Sequence, residues 1–475
     1  MLNFALAALS GVLLFLIHPK FSFTWLLPVV LLPLLFALQR EPGRLRHFLL
    51  GLTTGAVHWA GMCYWVHYVM AVHGGLGNVG GGLVFVLFSL GCALGTGVFA
   101  LAAAPLLSST WGFWGIAALW TLNEWVPAPY GFTWLGFGDA AIDSRVLVEL
   151  IPWTGVYGAT FAVALANVAL MKRRFLVAVI LASIIFWSRH PAPARAARQA
   201  VVVQPNIPMD VEWTPETALA LQRRLEYLTI SAAKQGQADL LVWPEVPAPL
   251  YYETDPQFRN VATMIALLTR TPFLFGTVGF TSKSQPLNSA VMLASDGRLI
   301  DRYSKVELVP FGEYVPFPWA NIVPKVTNEV SDFSPGSKLT TFNVNGHKIS
   351  VFICYESAFP DFVRRFQGEV LFNLSNDGYF GKHAAREQHL QLVRTRAIEN
   401  AIWIVRSTND GITASIDPRG IVTSQLPPYT EIAGRLPFEY RQQTTFYHRY
   451  GDWFAAVSFG FVVLSYAGLR VRRRP

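Results

Sequence analysis

The first 188 residues of this chain carry 13 charged side chains, whereas the remaining 287 carry 55. A globular surface in water needs about a quarter of its residues charged, so the N-terminal part cannot fold as an ordinary soluble domain. Seven apolar segments occur in it, at about 2–18, 24–39, 48–71, 80–106, 112–127, 146–170 and 175–188, and an eighth lies at about 453–469. Crossing the hydrocarbon of a bilayer takes roughly 20 apolar residues. The second, fifth and seventh segments are short for that task. The pattern predicts a multi-pass α-helical membrane domain of about eight transmembrane helices joined to a globular domain. The opening run MLNFALAALSGVLLFLIHPK has no positive residues before its apolar core, so it reads as a retained helix rather than a cleaved signal peptide.

The basic residues orient these segments. Arg40, Arg44 and Arg46 follow the second; Lys172, Arg173 and Arg174 follow the sixth; Arg470, Arg472, Arg473 and Arg474 follow the eighth. With eight spans all three clusters fall on one side, the cytoplasm, because short loops rich in Lys and Arg stay inside. Both termini are then cytoplasmic and the globular domain is exported. Arg189, Arg195 and Arg198 oppose this, yet they precede a large domain, where the rule weakens. The expected organisation is residues 1–189 for the first seven spans, 190–198 as linker, 199–445 as the exported domain, and 446–475 as the eighth span with a basic tail. The net charge of +8 resides largely in clusters beside apolar runs, not on one amphipathic face, which argues against a nucleic-acid partner.

The exported stretch reads as a mixed α/β domain. Runs of β-branched and aromatic residues that stop at polar or turn-forming residues mark strands at QAVVVQPNI, DLLVWPE, FLFGTVGF, NSAVMLASDG, ISVFICYE, VLFNLSND and AIWIVRSTND. Between the first two, Thr214 as N-cap, Pro215 at N1 and Gly236 at the far end delimit a helix. A second helix is expected over HAAREQHLQLVRTRAIENA. Strands alternating with helices imply a sheet with helices on at least one face.

Three strand ends carry reactive groups. DLLVWPE delivers Glu245, RYSKVELVPFGEYVP delivers Lys305 and Glu313, and VFICYE delivers Cys354 and Glu356. Of the three cysteines, Cys63 and Cys92 fall in apolar segments, which leaves Cys354 without an obvious disulfide partner. Singly each residue is ordinary: a solvated acid, a surface lysine, a buried thiol. Together a carboxylate, an ammonium and a thiol make a nucleophilic set, in which the acid takes the thiol proton and the lysine stabilises a developing oxyanion.

These blocks, Trp-Pro-Glu at 243–245, Tyr-Ser-Lys-Val-Glu-Leu-Val-Pro-Phe-Gly-Glu at 303–313, Cys-Tyr-Glu at 354–356 and Asn-Leu-Ser-Asn-Asp at 373–377, resemble in order those of the nitrilase superfamily. With the flanking apolar segments, the chain is similar over nearly its whole length to the apolipoprotein N-acyltransferase family. It departs from the family pattern at Gly378-Tyr379, where Ala-Trp is more usual. The resemblance implies a nitrilase-like αββα sandwich in the periplasm, borne by a protein of the bacterial inner membrane. It implies an acyl transfer without metal or cofactor, from the sn-1 position of a membrane phospholipid to the α-amine of a diacylglyceryl apolipoprotein, through a thioester. Glu245, Lys305 and Cys354 are the catalytic residues by this resemblance. Glu313, Glu356 and Tyr355 support the lysine and the oxyanion, and Trp213 lies near the substrate. Glu124 and Glu149, acids near the ends of apolar segments, are further candidates for substrate binding. His383 and His389 read as structural. A monomer is expected. Two rivals remain at this stage: a membrane-anchored amide or nitrile hydrolase with water as acceptor, and a transport or assembly protein that only binds.

Overall fold

The structure is a computed structural model of the 475-residue chain, and it describes residues 1–110, 112–127, 132–186, 192–246, 249–314 and 333–472. The chain divides into two units. One comprises Met1–Ala71, Gly77–Ala192 and Thr445–Pro475, the other Val72–Leu76 and Pro193–Thr444.

The first unit is helical. Among the described residues one helix, Gly77–Ser108, is long and apolar enough by itself to cross a membrane, while Leu2–Leu16, Val156–Met171 and Trp453–Leu469 are shorter apolar helices. This corrects the expectation of eight full spans, and the sequence supplies the reason. Pro28 and Pro33 break the second segment into a 3-10 turn, Thr24–Leu26, and a helix, Leu32–Arg40. The backbone freed by the break is satisfied from neighbouring helices. Asn167 accepts from the Leu31 amide at 2.9 Å and donates to the Leu27 carbonyl at 2.7 Å. Ser10 donates to the Val30 carbonyl at 2.8 Å and accepts from the Leu34 amide at 3.0 Å. The sixth segment also breaks, into Leu147–Thr154 and Val156–Met171, with Pro152 inside the first piece and Gly155 at φ +65° between them. A Cβ at Gly155 would stand 2.5 Å from the Tyr447 ring, so glycine is required there twice over.

The second unit is built on two six-stranded sheets. The strands are β1 (Arg198–Gln204), β2 (Leu240–Val242), β3 (Phe273–Phe280), β4 (Pro286–Leu293), β5 (Leu299–Ser304), β6 (Thr341–Val344), β7 (His347–Ile353), β8 (Val370–Ser375), β9 (Ile404–Thr408), β10 (Ala414–Ile416), β11 (Val422–Gln425) and β12 (Ile432–Phe438). One sheet runs β12-β1-β2-β3-β4-β5, the other β11-β10-β9-β8-β7-β6. Alternation along β1 sorts its side chains into two cores. Ala200 and Val202 join a core with Val351, Phe372 and Val405 of the other sheet. Val201 and Val203 face helices α1 (Pro215–Ala233) and α2 (Pro256–Thr269) through Leu225 and Phe258. Helix α3 (Ala385–Asn400) contributes Val393 and Ala397 to the core shared with the second sheet.

Strand direction decides where the site lies. β1, β2 and β3 are parallel neighbours, and β5 runs with β3 because β4 is antiparallel to both. In the other sheet β7, β8 and β9 are parallel. The Asn206 amide donates to the Asn409 carbonyl at 2.8 Å, which joins the outgoing ends of β1 and β9. The C-terminal edges of both sheets therefore meet at one place, where side chains leave the packed core.

Candidate active site

Glu245 follows β2 by three residues, Lys305 directly follows β5, and Cys354 directly follows β7. The Lys305 ammonium, 1 % exposed, lies 2.9 Å from Glu313 Oε1 and 3.4 Å from Glu245 Oε1. Asn288, in β4, donates from the same Nδ2 to Glu245 Oε1 at 2.7 Å and Glu313 Oε1 at 2.8 Å. Its two N–H bonds thus fix the spacing of two carboxylates that would otherwise repel. The backbone completes the arrangement: the Asn376 amide donates to Glu245 Oε2 and the Val309 amide to Glu313 Oε2, each at 2.8 Å. Burial opposes the charge on Lys305, but Glu313 and Glu245 outweigh it and raise the lysine above its ordinary range.

Cys354 is buried and within electrostatic reach of both Glu245 and Lys305. Burial and the Glu245 charge push its thiol up, against the influence of Lys305, so the resting sulfur is protonated at neutral pH. Its φ of +51° is in the left-handed region, which costs a residue with a Cβ about 1–3 kcal/mol. The strand thus turns abruptly at the cysteine into the 3-10 turn Cys354–Ala358.

Glu356, wholly buried, underpins that turn. Its Oε2 accepts from the Ile353 amide at 2.6 Å, and its Oε1 accepts from the Tyr303 hydroxyl at 2.6 Å and the Val306 amide at 2.7 Å. One carboxylate therefore ties the strand before Cys354 to the residues on both sides of Lys305. Tyr355, also buried, packs edge-on to Phe359 at 5.0 Å. Trp213 packs against the helix-side core of the first sheet.

Glu124 and Glu149 belong to the first unit. The Glu124 carboxylate accepts from Trp120 Nε1 at 2.7 Å, Thr160 Oγ1 at 2.7 Å and the Phe137 amide at 3.0 Å. It ties Phe137, after residue 131, to the helices that carry Trp120 and Thr160. Glu149 is exposed in the first turn of Leu147–Thr154, where an acid complements the helix dipole.

Among the described residues no group of three or more His, Cys, Asp or Glu is arranged to hold a metal ion. Asn288, Tyr303 and Arg406 carry parts of the site that sequence reasoning missed. For Asn288 and Arg406 a signal existed, a polar side chain within or at the end of an apolar run, as in PLNSAVML and IVRST, though it names no partner; Tyr303, in the half-exposed LIDRYS, gave none.

Residues 199–445 match the carbon-nitrogen hydrolase family, the class of protein that the paired sheets and the Glu–Lys–Cys arrangement define. Residues 10–169 match the apolipoprotein N-acyltransferase N-terminal domain. The apolipoprotein N-acyltransferase of Geobacter metallireducens is 32 % identical over 95 % of this chain and 92 % of its own length. That of Nitrosomonas europaea is 29 % identical over 97 % and 94 %. The chain belongs to the apolipoprotein N-acyltransferase family. Among solved structures, Saccharomyces cerevisiae Nit3, a member of branch 10 of the nitrilase superfamily, aligns with 53 % of this chain and 93 % of its own at 18 % identity and a TM-score of 0.41.

Proposed function

We propose that this enzyme transfers an acyl chain from the sn-1 position of a membrane phospholipid to the α-amine of an apolipoprotein's N-terminal diacylglyceryl-cysteine, through a thioester on Cys354. Lipoprotein N-acylation is the activity of its family. The observation that carries the finer reading is the buried Lys305 ammonium, clamped between Glu245 and Glu313 within electrostatic reach of the Cys354 thiol.

Because the resting thiol is protonated, attack needs a base. Glu245 takes the proton from Sγ as sulfur bonds to the ester carbonyl carbon, and the carbonyl oxygen takes up the negative charge. Lys305 stabilises that charge. The C–O bond then breaks, and the leaving lysophospholipid oxygen recovers the proton from Glu245. In the second half the acceptor amine adds to the thioester carbonyl, Glu245 takes the amine proton, the C–S bond breaks and sulfur is reprotonated. Water as acceptor would waste the thioester. A site served from the membrane by two lipid-bearing substrates restricts water at the step where it would compete. In this reading residues 1–189 and 446–475 hold the enzyme in the bacterial inner membrane as a monomer, with residues 199–445 in the periplasm and both termini cytoplasmic.

The experiment is mass spectrometry of purified protein after incubation with a labelled phospholipid. An acyl mass is expected on the peptide carrying Cys354, transferable to a diacylglyceryl-cysteine peptide. Cys354→Ala should lose both thioester and transfer while still folding. Full transfer by that variant would falsify the mechanism, and release of free fatty acid in place of N-acyl product would make the enzyme a hydrolase.

A further inference from the structure

A second buried polar cluster adjoins the nucleophile and takes no part in the proton transfers above. Asp377 and Arg406 are fully buried, and His389, from α3, is 1 % exposed. Arg406 Nη2 donates to Asp377 Oδ2 at 2.6 Å, and Nη1 donates to Asn373 Oδ1. His389 Nδ1 lies 2.9 Å from Asp377 Oδ1 and 3.1 Å from Arg406 Nη2. On its other side, Nε2 lies 3.0 Å from the carbonyl oxygen of Cys354 itself. Ser375 Oγ donates to Asp377 Oδ1 at 2.8 Å.

We propose that His389 is a positioning residue for the nucleophile: with Ser375, Asp377 and Arg406 behind it, it holds Cys354 in the strained conformation from which sulfur attacks. This rests on Cys354 being the nucleophile. A carbonyl oxygen only accepts, so Nε2 carries the hydrogen in either charge state of the ring. Burial and the Arg406 charge lower the His389 pKa, against the Asp377 carboxylate that faces Nδ1. The imidazole reaches the cysteine's backbone and leaves the proton chemistry to Glu245. A left-handed residue relaxes unless its surroundings fix it, and the carbonyl of Cys354 is one of the groups through which they can.

The test uses the full-length protein in lipid vesicles and measures the rate of acyl-enzyme formation on Cys354 against phospholipid concentration. His389→Leu should lower the maximal acylation rate about 100-fold with little change in apparent KM, the usual cost of a misplaced reacting group. His389→Gln, whose amide N–H stands where Nε2–H stood, should recover to within about tenfold of wild type. Should the leucine variant not fold, His389→Asn replaces it, since its shorter amide cannot reach the Cys354 carbonyl. Gln faster than Leu or Asn supports the proposal. Equal impairment of all variants overturns it in favour of a proton-carrying ring, and wild-type rates in all overturn it in favour of mere core packing. Cys354→Ala is run alongside. Surviving transfer there refutes the nucleophile assignment, a result separable from any ranking of the His389 variants.

Discussion

Glu356 shows how much one buried carboxylate can organise. It accepts from amides on both sides of the site and from Tyr303, and it has no contact that requires it to touch substrate. Burial pushes its pKa up, and the Ile353, Tyr303 and Val306 donors limit the rise to about 7. An ordinary glutamate titrates near about 4.3. The folded protein therefore holds this proton more tightly than the unfolded chain, and the contribution of Glu356 to stability falls as pH rises from about 4.3 to about 7. Asp410, pushed up to about 6 chiefly by burial, acts in the same direction. The expected outcome is a wild-type unfolding temperature that declines between about pH 5 and about pH 7, and a shallower decline in Glu356→Gln. Identical slopes would remove Glu356 from the account. At this scale the sequence was partly legible. Cys354, Lys305 and the acids stand out because their spacing follows a known order. Asn288 and Tyr303 do not, because a polar residue in a strand declares its partner only once the neighbouring strand is in place.

The elements were legible where burial is continuous. FLFGTVGF forms β3 over its whole length, and the helix between Thr214 and Gly236 begins at Pro215 with Thr214 accepting from the Thr217 amide. Strands β6, β10, β11 and β12 and helix α2 were not anticipated. Edge strands such as β5 and β11 are largely half-exposed, so their sequences lack an unbroken apolar run, and they exist because the sheet beside them offers a ladder. The apolar segments misled in the opposite sense, since hydropathy does not register a broken helix. Apolarity was right for the second segment; its continuity was not. Asn167 makes that break tolerable through bonds to Leu31, Leu27 and Val163. Replacing it by leucine leaves the Leu31 amide and the Leu27 carbonyl unpaired, at about 1–3 kcal/mol for each group stranded. Asn167→Leu should lower the unfolding temperature of the purified protein by several degrees, with catalytic parameters retained at low temperature. An unchanged unfolding temperature would mean that the break is satisfied without Asn167.

Over the whole molecule, the charge asymmetry predicts a topology. Lys172 is tied down by the Leu107 carbonyl at 3.0 Å, and Arg174 lies over the Phe113 ring at 5.0 Å, so this cluster is built into the first unit. Arg173, between them, is exposed, as is Lys283 in the unit that carries Cys354. If short basic loops stay inside, these two positions lie on opposite faces of the membrane. The prediction is decided by access. In spheroplasts, a membrane-impermeant maleimide should label Lys283→Cys without treatment and Arg173→Cys only after permeabilisation. Cys63 and Cys354 are buried and Cys92 half-buried, so the wild-type chain sets the background. The reverse pattern would put the nucleophile on the cytoplasmic side. Labelling of both positions from outside would mean that the seventh apolar segment, at about 175–188 and alone between them, does not cross.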